Sequence, residues 1–310
     1  MKKGLIGIGV LIVLLLVAVY AAIPSTLNIV VVLPVRCNVD AVDRSLRDTG
    51  KSIHWWDKDE ATGTRCRVTG LHRRMLDLTI DAGKISGARA LPSRLTVFPI
   101  VQIDSCLLQW ELSLSSGLNP VRRINRYLAA KDLAADMRET LSRIVARLED
   151  QRQVYGMVIT EGNTLDSALV STEQIFDRYP SDSAVYRLVG KLQQFVARRG
   201  SHVTGFPMLN VMNQVDGKFK AEVGLPIDGY VDGEGDIRWR RLIRVVFLEA
   251  DVHGGDSTVK AAIGQMADYI GDYHRTIMAI PYESLITDRM KERDTTKWLT
   301  RLYVPIYPRH

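Results

Sequence analysis

Cysteine is scarce in this chain of 310 residues. Cys37, Cys66 and Cys106 are far apart and form no CxxC pair, so the sequence excludes a disulfide scaffold. We expect all three to be small buried hydrophobic residues. The alternative applies to Cys66, because the arginines on both sides of it would favour a reactive thiolate if the side chain were exposed.

Motifs for metal binding and for common hydrolytic chemistry are also missing. The six histidines show no HxxxH or HExxH spacing, and the chain has no GxSxG sequence and no phosphate-binding loop. The acidic, glycine-rich loop from Asp228 to Asp236 lacks the calcium-loop pattern and is interpreted as a polar turn. The sequence therefore predicts no metal, no cofactor and no catalytic residue set.

Positive charge is absent where a nucleic-acid-binding surface would need it. The chain has a net charge of +6, but residues 151–310 contain equal numbers of basic and acidic residues. Phosphate backbones require clustered Lys and Arg, so nucleic acid is not an expected partner. The one basic and aromatic cluster, Arg238-Trp239-Arg240-Arg241, is interpreted as a solvated strand end, with contact to an anionic surface as the alternative.

A long apolar run occupies the N-terminus. Residues 4–23 contain no charge and no proline, and as a helix they would extend roughly 30 Å, the thickness of the hydrocarbon core of a bilayer. Lys2 and Lys3 before the run predict a single-pass signal anchor (residues 1–23) with a cytoplasmic N-terminus and an extracytoplasmic, periplasmic soluble part. A signal peptide cleaved after Val19-Tyr20-Ala21 is the alternative.

Residues 24–150 show strand patterns followed by one long helix. Leu76, Leu78 and Ile80 alternate with polar residues, and the stretch from Cys106 to Leu114 repeats this alternation. Asn119 and Pro120 then suit the start of an amphipathic helix that continues to about Leu148. The pattern predicts an antiparallel sheet covered by a C-terminal helix.

This arrangement resembles the helix-grip domain of the START and polyketide-cyclase-like (SRPBCC) superfamily. The resemblance covers about residues 25–150 and depends on His54-Trp55-Trp56, on two adjacent strands from Leu95 to Leu114, and on the closing helix. It implies a cavity between sheet and helix that holds an apolar ligand and is lined by Trp55, Trp56 and Trp110. The other interpretation is that these tryptophans fill the core.

Two stretches of residues 151–310 repeat each other. Residues 221–227 (AEVGLPI) and 300–306 (TRLYVPI) are apolar strands that end in Pro-Ile, and each follows a strand, a helix and a second strand. The expected first-half elements are a strand from Val154 to Thr160, a connecting stretch through residues 167–176 and a helix at residues 181–199. In the second half we expect a strand at residues 242–252 and a helix from Asp256 to about Arg275. The order predicts a duplicated βαββ unit.

This second half is similar to the effector-binding domain of AraC-type and multidrug-sensing regulators, also called the gyrase-inhibitor-like (GyrI-like) domain. The resemblance implies two βαββ halves about a pseudo-twofold axis and a cleft for small, often lipophilic ligands. Arg301 stands where that family commonly has a glutamate, which departs from its pattern for cation recognition. The helix-turn-helix of the regulators is missing. The expected fold is α+β, with domains at residues 24–150 and 151–310.

Strand parity assigns candidate ligand-binding residues to the sheet face opposite the helices. Glu222 and Arg301 each lie four residues before a proline, so the internal symmetry predicts that they face each other across the cleft; a structural salt bridge is the alternative. The aromatic residues expected to line the cleft are Tyr155, Trp239, Tyr282 and Tyr303.

Three functions remain open from the sequence. The first is a membrane-anchored protein that binds a partly apolar small molecule without chemistry. The second is a hydrolase in which Glu222 or Glu283 acts as base beside the Tyr303 hydroxyl. The third is a protein-interaction module that uses its sheet face. The oligomeric state is not predicted.

Overall fold

The computed structural model describes residues 2–48, 55–56, 65–81, 90–101, 104–163, 167–242 and 244–308. The chain divides into two compact units, Met1–Asp150 and Gln151–His310. Each unit contains one antiparallel sheet with helices, so the fold class is α+β, as the sequence predicts.

Unit 1 begins with helix α1 (Lys2–Ala22), whose apolar side chains from Ile6 to Val17 are exposed. Within the part of the chain that the structure describes, no helix combines the length and the hydropathy required to cross a bilayer. This finding does not support the transmembrane assignment of residues 4–23. The C-terminal end of α1 is attached to the rest of unit 1. Buried Arg123 donates through Nε to the carbonyl oxygen of Ile23 at 2.7 Å and stacks over the Tyr20 ring.

The sheet of unit 1 buries one face along every second residue. On the fifth strand, Leu108, Trp110, Leu112 and Leu114 are buried while their neighbours are more exposed, which is the predicted alternation. The five strands are β1 (Thr26–Val35), β2 (Arg65–His72), β3 (Met75–Asp81), β4 (Leu91–Pro99) and β5 (Cys106–Ser115). They pair in the order β1-β5-β4-β3-β2.

Unit 1 also contains helices α2 (Val39–Arg47) and α3 (Pro120–Leu148). The predicted start of the long helix is confirmed, since the Asn119 side chain accepts hydrogen bonds from the backbone of Val121 at 3.0 Å and Arg122 at 3.1 Å. Its apolar stripe, from Leu133 to Leu148, is buried.

Two of the three tryptophans of unit 1, Trp56 and Trp110, are core residues. Trp110 is fully buried, its Nε1 donates to Ser93 Oγ at 3.0 Å, and Trp56 meets it edge-on with ring centroids 5.9 Å apart. Trp55 is half-buried, and His54 lies outside the described residues. Cys37 and Cys106 are buried, and burial raises the pKa of the Cys66 thiol to about 12, which disfavours a thiolate there.

Unit 2 contains the duplicated βαββ arrangement. The first half is β7 (Ser167–Phe176), α5 (Asp182–Arg198), β8 (Met208–Asn213) and β9 (Phe219–Ile227). The second half is β11 (Val246–His253), α6 (Asp256–Asp272), β12 (Tyr282–Leu285) and β13 (Leu299–Ile306). Strands β6 (Thr160–Asn163) and β10 (Arg238–Leu242) lie at the two edges. The sheet order is β10-β7-β9-β8-β12-β13-β11-β6, so β8 and β12 meet in the middle.

Two sequence-based strand assignments in unit 2 are wrong. The expected strand from Val154 to Thr160 is replaced by a short helix, α4 (Gln151–Tyr155), which Gly156 ends with a φ of 73°. The apolar side chains of Val154 and Tyr155 are buried next to α6, so their apolar character reflects this packing and does not indicate a strand. The expected strand at residues 242–252 is two strands, and the Arg238–Arg241 cluster lies within β10.

One face of the unit 2 sheet packs under the helices. Ala221, Val223 and Leu225 are buried in a cluster with the apolar face of α5. Thr300, Leu302 and Val304 are buried at the corresponding positions of β13. The parity expected for β9 and β13 is therefore present in the structure.

Candidate functional site

A cavity of ≈ 250 Å³ lies between α6 and the sheet of unit 2. Its walls are mostly apolar. Helix α6 contributes apolar side chains from successive turns on one face, and the sheet contributes the helix-facing side chains of its central strands. The main lining residues are Ile263, Met266 and Ile270 of α6 with Leu209, Val211, Leu302 and Val304 of the sheet.

Glu283 places a carboxyl group in the wall of this cavity. It stands opposite Leu302 and Leu209 in the sheet register, which puts its side chain on the helix-facing side. The residue is 8% exposed, and its side chain accepts no hydrogen bond from any described residue. Burial is the main cause that raises the pKa of this carboxyl to about 7.

The charges near Glu283 are unbalanced. The Arg289 guanidinium bonds two carboxylates, Asp182 at 2.8 Å and Asp256 at 2.9 Å, and also the Thr300 hydroxyl at 2.9 Å. One cation with two anions leaves one negative charge, so ionising Glu283 adds a second. Arg289 lowers the pKa of Glu283, but desolvation and the two aspartates outweigh it.

This arrangement gives Glu283 two chemical states near neutral pH. The protonated form can donate a hydrogen bond inside the cavity, and the ionised form can neutralise a cation. An unpartnered buried carboxylate costs free energy, which a cationic ligand would recover.

A second recess of ≈ 320 Å³ opens on the other sheet face. Glu222 and Tyr282 line it, but Glu222 already forms a 2.9 Å ion pair with Arg240. Asn210 donates to the carbonyl oxygen of Pro281 at 2.7 Å, while its buried Oδ1 has no partner among the described residues. In this recess the Glu222 carboxylate is already paired, and Asn210 Oδ1 is an acceptor available to a ligand.

The predicted facing pair of Glu222 and Arg301 is wrong. Both residues occupy equivalent positions of β9 and β13, but β8 and β12 lie between those strands, a separation of about 14 Å at the usual strand spacing. Arg301 pairs instead with Asp251 at 2.5 and 3.0 Å, and it lines a different cavity from Glu222. Each charge is neutralised within its own half.

The remaining predicted residues divide between core and surface. Tyr155 is buried and donates to Asp272 at 2.9 Å, and Trp239 packs on the core while its Nε1 donates to Gly229. Tyr282 and Tyr303 stack with ring centroids 4.9 Å apart. Because Tyr303 stacks on the face opposite Glu283, Glu283 is not assembled with the Tyr303 hydroxyl as a base, and the other candidate base, Glu222, is already paired with Arg240.

Arg289 was missed by the sequence analysis. It lies in a loop with no periodic pattern, and its partners are in the first turns of two helices far away in sequence. The spacing of Ile263, Met266 and Ile270 was a detectable signal, since these residues recur at helical intervals. Over the described residues, no group of three or more His, Cys, Asp or Glu side chains could hold a metal ion.

No family model and no curated protein matches this chain. Several solved structures are similar to parts of it. The C-terminal domain of EcmrR is 16% identical over 49% of this chain and 99% of its own, with a TM-score of 0.44. SAV2435, determined bound to tetraphenylphosphonium, is 15% identical over 48% of this chain and 94% of its own, with a TM-score of 0.33.

A third similar structure is the Zhui aromatase/cyclase from Streptomyces sp. R1128. It is 10% identical over 39% of this chain and 94% of its own chain, with a TM-score of 0.27.

Proposed function

We propose that unit 2 binds a small, largely apolar organic cation in the cavity under α6, with Glu283 as its counter-ion. The observation that carries the proposal is a carboxyl group that is buried, unpartnered within the described chain and set in an apolar wall. Pockets with few polar groups among apolar side chains are typical small-molecule sites.

The cavity limits the size of the ligand. A volume of ≈ 250 Å³ equals about eight water molecules at their liquid volume, so one ring with a compact cationic group is the expected scale. Apolar walls would desolvate the ring, and a low local dielectric would strengthen the attraction between cation and carboxylate. The proposed activity is binding without chemical turnover.

The experiment compares two isosteric probes, benzyltrimethylammonium and the neutral neopentylbenzene, by calorimetry at pH 6 and pH 8. With a pKa of about 7, Glu283 is mostly protonated at pH 6 and mostly ionised at pH 8. The ammonium probe should therefore bind about tenfold more tightly at pH 8, because only the ionised fraction pairs with it. The neutral probe should show no such pH dependence.

Two variants complete this experiment. Glu283→Gln should remove both the preference for the ammonium probe and its pH dependence. Glu222→Gln is the matched control, since Glu222 lies in the other recess and its loss should leave ammonium binding unchanged. Equal ammonium affinity in the Glu283→Gln variant would refute the proposal.

We further propose that residues 1–23 anchor the chain in a membrane with unit 1 and unit 2 outside the cytoplasm. The uncharged run at residues 4–23 and the exposed apolar side chains of α1 support this. A membrane-impermeant maleimide should label Val215→Cys, at a fully exposed position, in intact cells but should not label Lys3→Cys. The reverse pattern, or loss of both variants to the soluble fraction, would contradict the anchor.

A further inference from the structure

We propose that the open edge of β11 is a binding site for an extended peptide segment of a partner protein. A groove of ≈ 710 Å³ runs along this edge, separate from the cavity that holds Glu283. It reaches from Arg301 and Asp251 on one sheet face to Thr258 and Gln265 of α6 on the other.

The edge is open because β6 covers only part of β11. Strand β6 pairs with residues from Val246 to Glu249, whereas Ala250–His253 pair only with β13 and have no described strand on their other side. The backbone N–H of Gly254 donates to Trp298, so the even-numbered residues of β11 turn their backbone groups toward β13. Asp251 and His253 therefore direct N–H and C=O outward, and neither has a backbone partner there within the described chain.

The local sequence keeps the edge uncovered. Gly156, with its positive φ, ends α4 and turns the chain away, and the amide of Ile159 is held by Gln151 Oε1 at 2.9 Å. Small side chains at Ala250 and Ala262 then leave space between β11 and α6.

The other half of unit 2 shows how such a groove is closed. Asp236 bonds Lys191 of α5 at 2.6 Å and the Thr172 hydroxyl of β7 at 2.7 Å, and so bridges helix and strand edge. The bridge spans the place that corresponds to the groove at β11.

The duplicated register identifies the residues that replace this bridge. Thr172 stands opposite Val223, and Ala250 stands opposite Leu302. Val223 and Leu302 are equivalent positions, because each lies three residues before the proline of its strand. Lys191 and Gln265 occupy the same turn of their helices, and Asp236 and Val158 each precede their edge strand by two residues. None of Ala250, Gln265 and Val158 can form the bridge, so the second groove stays open.

The chemistry of the groove favours a peptide backbone. Asp251 and Arg301 already neutralise each other, and Gln265 offers a neutral amide. Alternating N–H and C=O groups at a strand edge match another extended chain, as in binding by strand addition.

The test uses the full chain and a random hexapeptide library, followed by hydrogen exchange of the chain with a selected peptide. The amides of Asp251 and His253 should exchange rapidly in the free chain and slow by about tenfold or more with peptide. The amides of Ala250 and Val252, which face β13, are the internal control and should be protected in both states. The triple variant Val158→Asp, Ala250→Thr, Gln265→Lys should rebuild the bridge and weaken peptide binding by about tenfold or more.

A second variant guards against misfolding of the triple variant. Ala261→Leu fills the groove from an exposed helix position and should weaken peptide binding equally, with ammonium binding at Glu283 retained. The inference fails if the library yields no binder, if both variants bind the peptide like the parent chain, or if the two amides are already protected. Protection that appears only as the chain dimerises would also overturn it, since a second copy would then occupy the edge.

Discussion

Glu283 shows how a single buried carboxyl can make stability depend on pH. Its folded-state pKa of about 7 exceeds the ordinary value of 4.5, so the folded chain holds a proton that the unfolded chain releases between these values. The stabilising contribution is therefore complete below pH 4.5 and is lost as pH rises through 7. The difference corresponds to about 3 kcal/mol.

We expect Glu283→Gln to remove most of this pH dependence. Urea unfolding of the parent chain should show a fall of about 3 kcal/mol between pH 4.5 and pH 8 from this group, whereas the variant lacks that contribution. Glu222→Gln should retain the fall of the parent chain. An unchanged pH profile in the Glu283→Gln variant would mean that the carboxyl is not held protonated.

At the scale of elements, Arg289 joins the first turns of α5 and α6. Its side chain is 4% exposed, so replacing it leaves Asp182 and Asp256 without their shared cation. We expect Arg289→Leu to destabilise unit 2 by about 3 kcal/mol and to raise the pKa of Glu283 further, because a nearby positive charge is lost.

The control for this prediction is a double-mutant cycle. Adding Asp182→Asn to Arg289→Leu should recover part of the lost stability, since one uncompensated carboxylate is removed. Additive losses in the thermal unfolding of the two single variants and the double variant would show that the ion pair is not coupled.

The start of α3 gives a prediction for unit 1. Asn119→Ala removes the acceptor for two backbone amides and should lower the free energy of unfolding by about 1 kcal/mol. Asn119→Asp keeps an acceptor and should stay close to the parent chain. Denaturant titrations of the two variants make the comparison, and equal losses would argue against capping.

The elements that the sequence predicted well are those with local rules. The Asn119-Pro120 helix start and the alternation of Leu108, Trp110 and Leu112 depend on neighbouring residues only. The strand predicted to begin at Val154 was wrong because the apolar residues Val154 and Tyr155 are buried by α6, a contact that is distant in sequence.

The candidate site was only partly predictable for the same reason. The sequence pattern indicated Glu283 and the repeat that contains it, but the predicted pairing of Glu222 with Arg301 was wrong. Internal symmetry shows that two positions are equivalent, but it does not show how far apart they lie. Two intervening strands separate that pair. The four-residue β12 is too short to indicate which face Glu283 occupies.

At the scale of the whole molecule, the cavity, its carboxyl and the Arg289 cluster all belong to unit 2. We therefore expect residues 151–310, expressed alone, to fold and to bind benzyltrimethylammonium with an affinity close to that of the full chain. Calorimetry on both forms tests this expectation. A large loss of affinity in a folded fragment, as judged by its circular dichroism, would show that unit 1 contributes to the site.

Helix α6 is fastened at both of its ends. Asp256 in its first turn is held by Arg289, and Asp272 in its last turn accepts the Tyr155 hydroxyl. Because both ends of α6 are held by hydrogen bonds, we expect the helix to stay close to the sheet when a larger ligand binds. The cavity beneath it should therefore select ligands by size. Homologous amines that grow by one methylene at a time should meet a sharp cut-off, not a gradual decline.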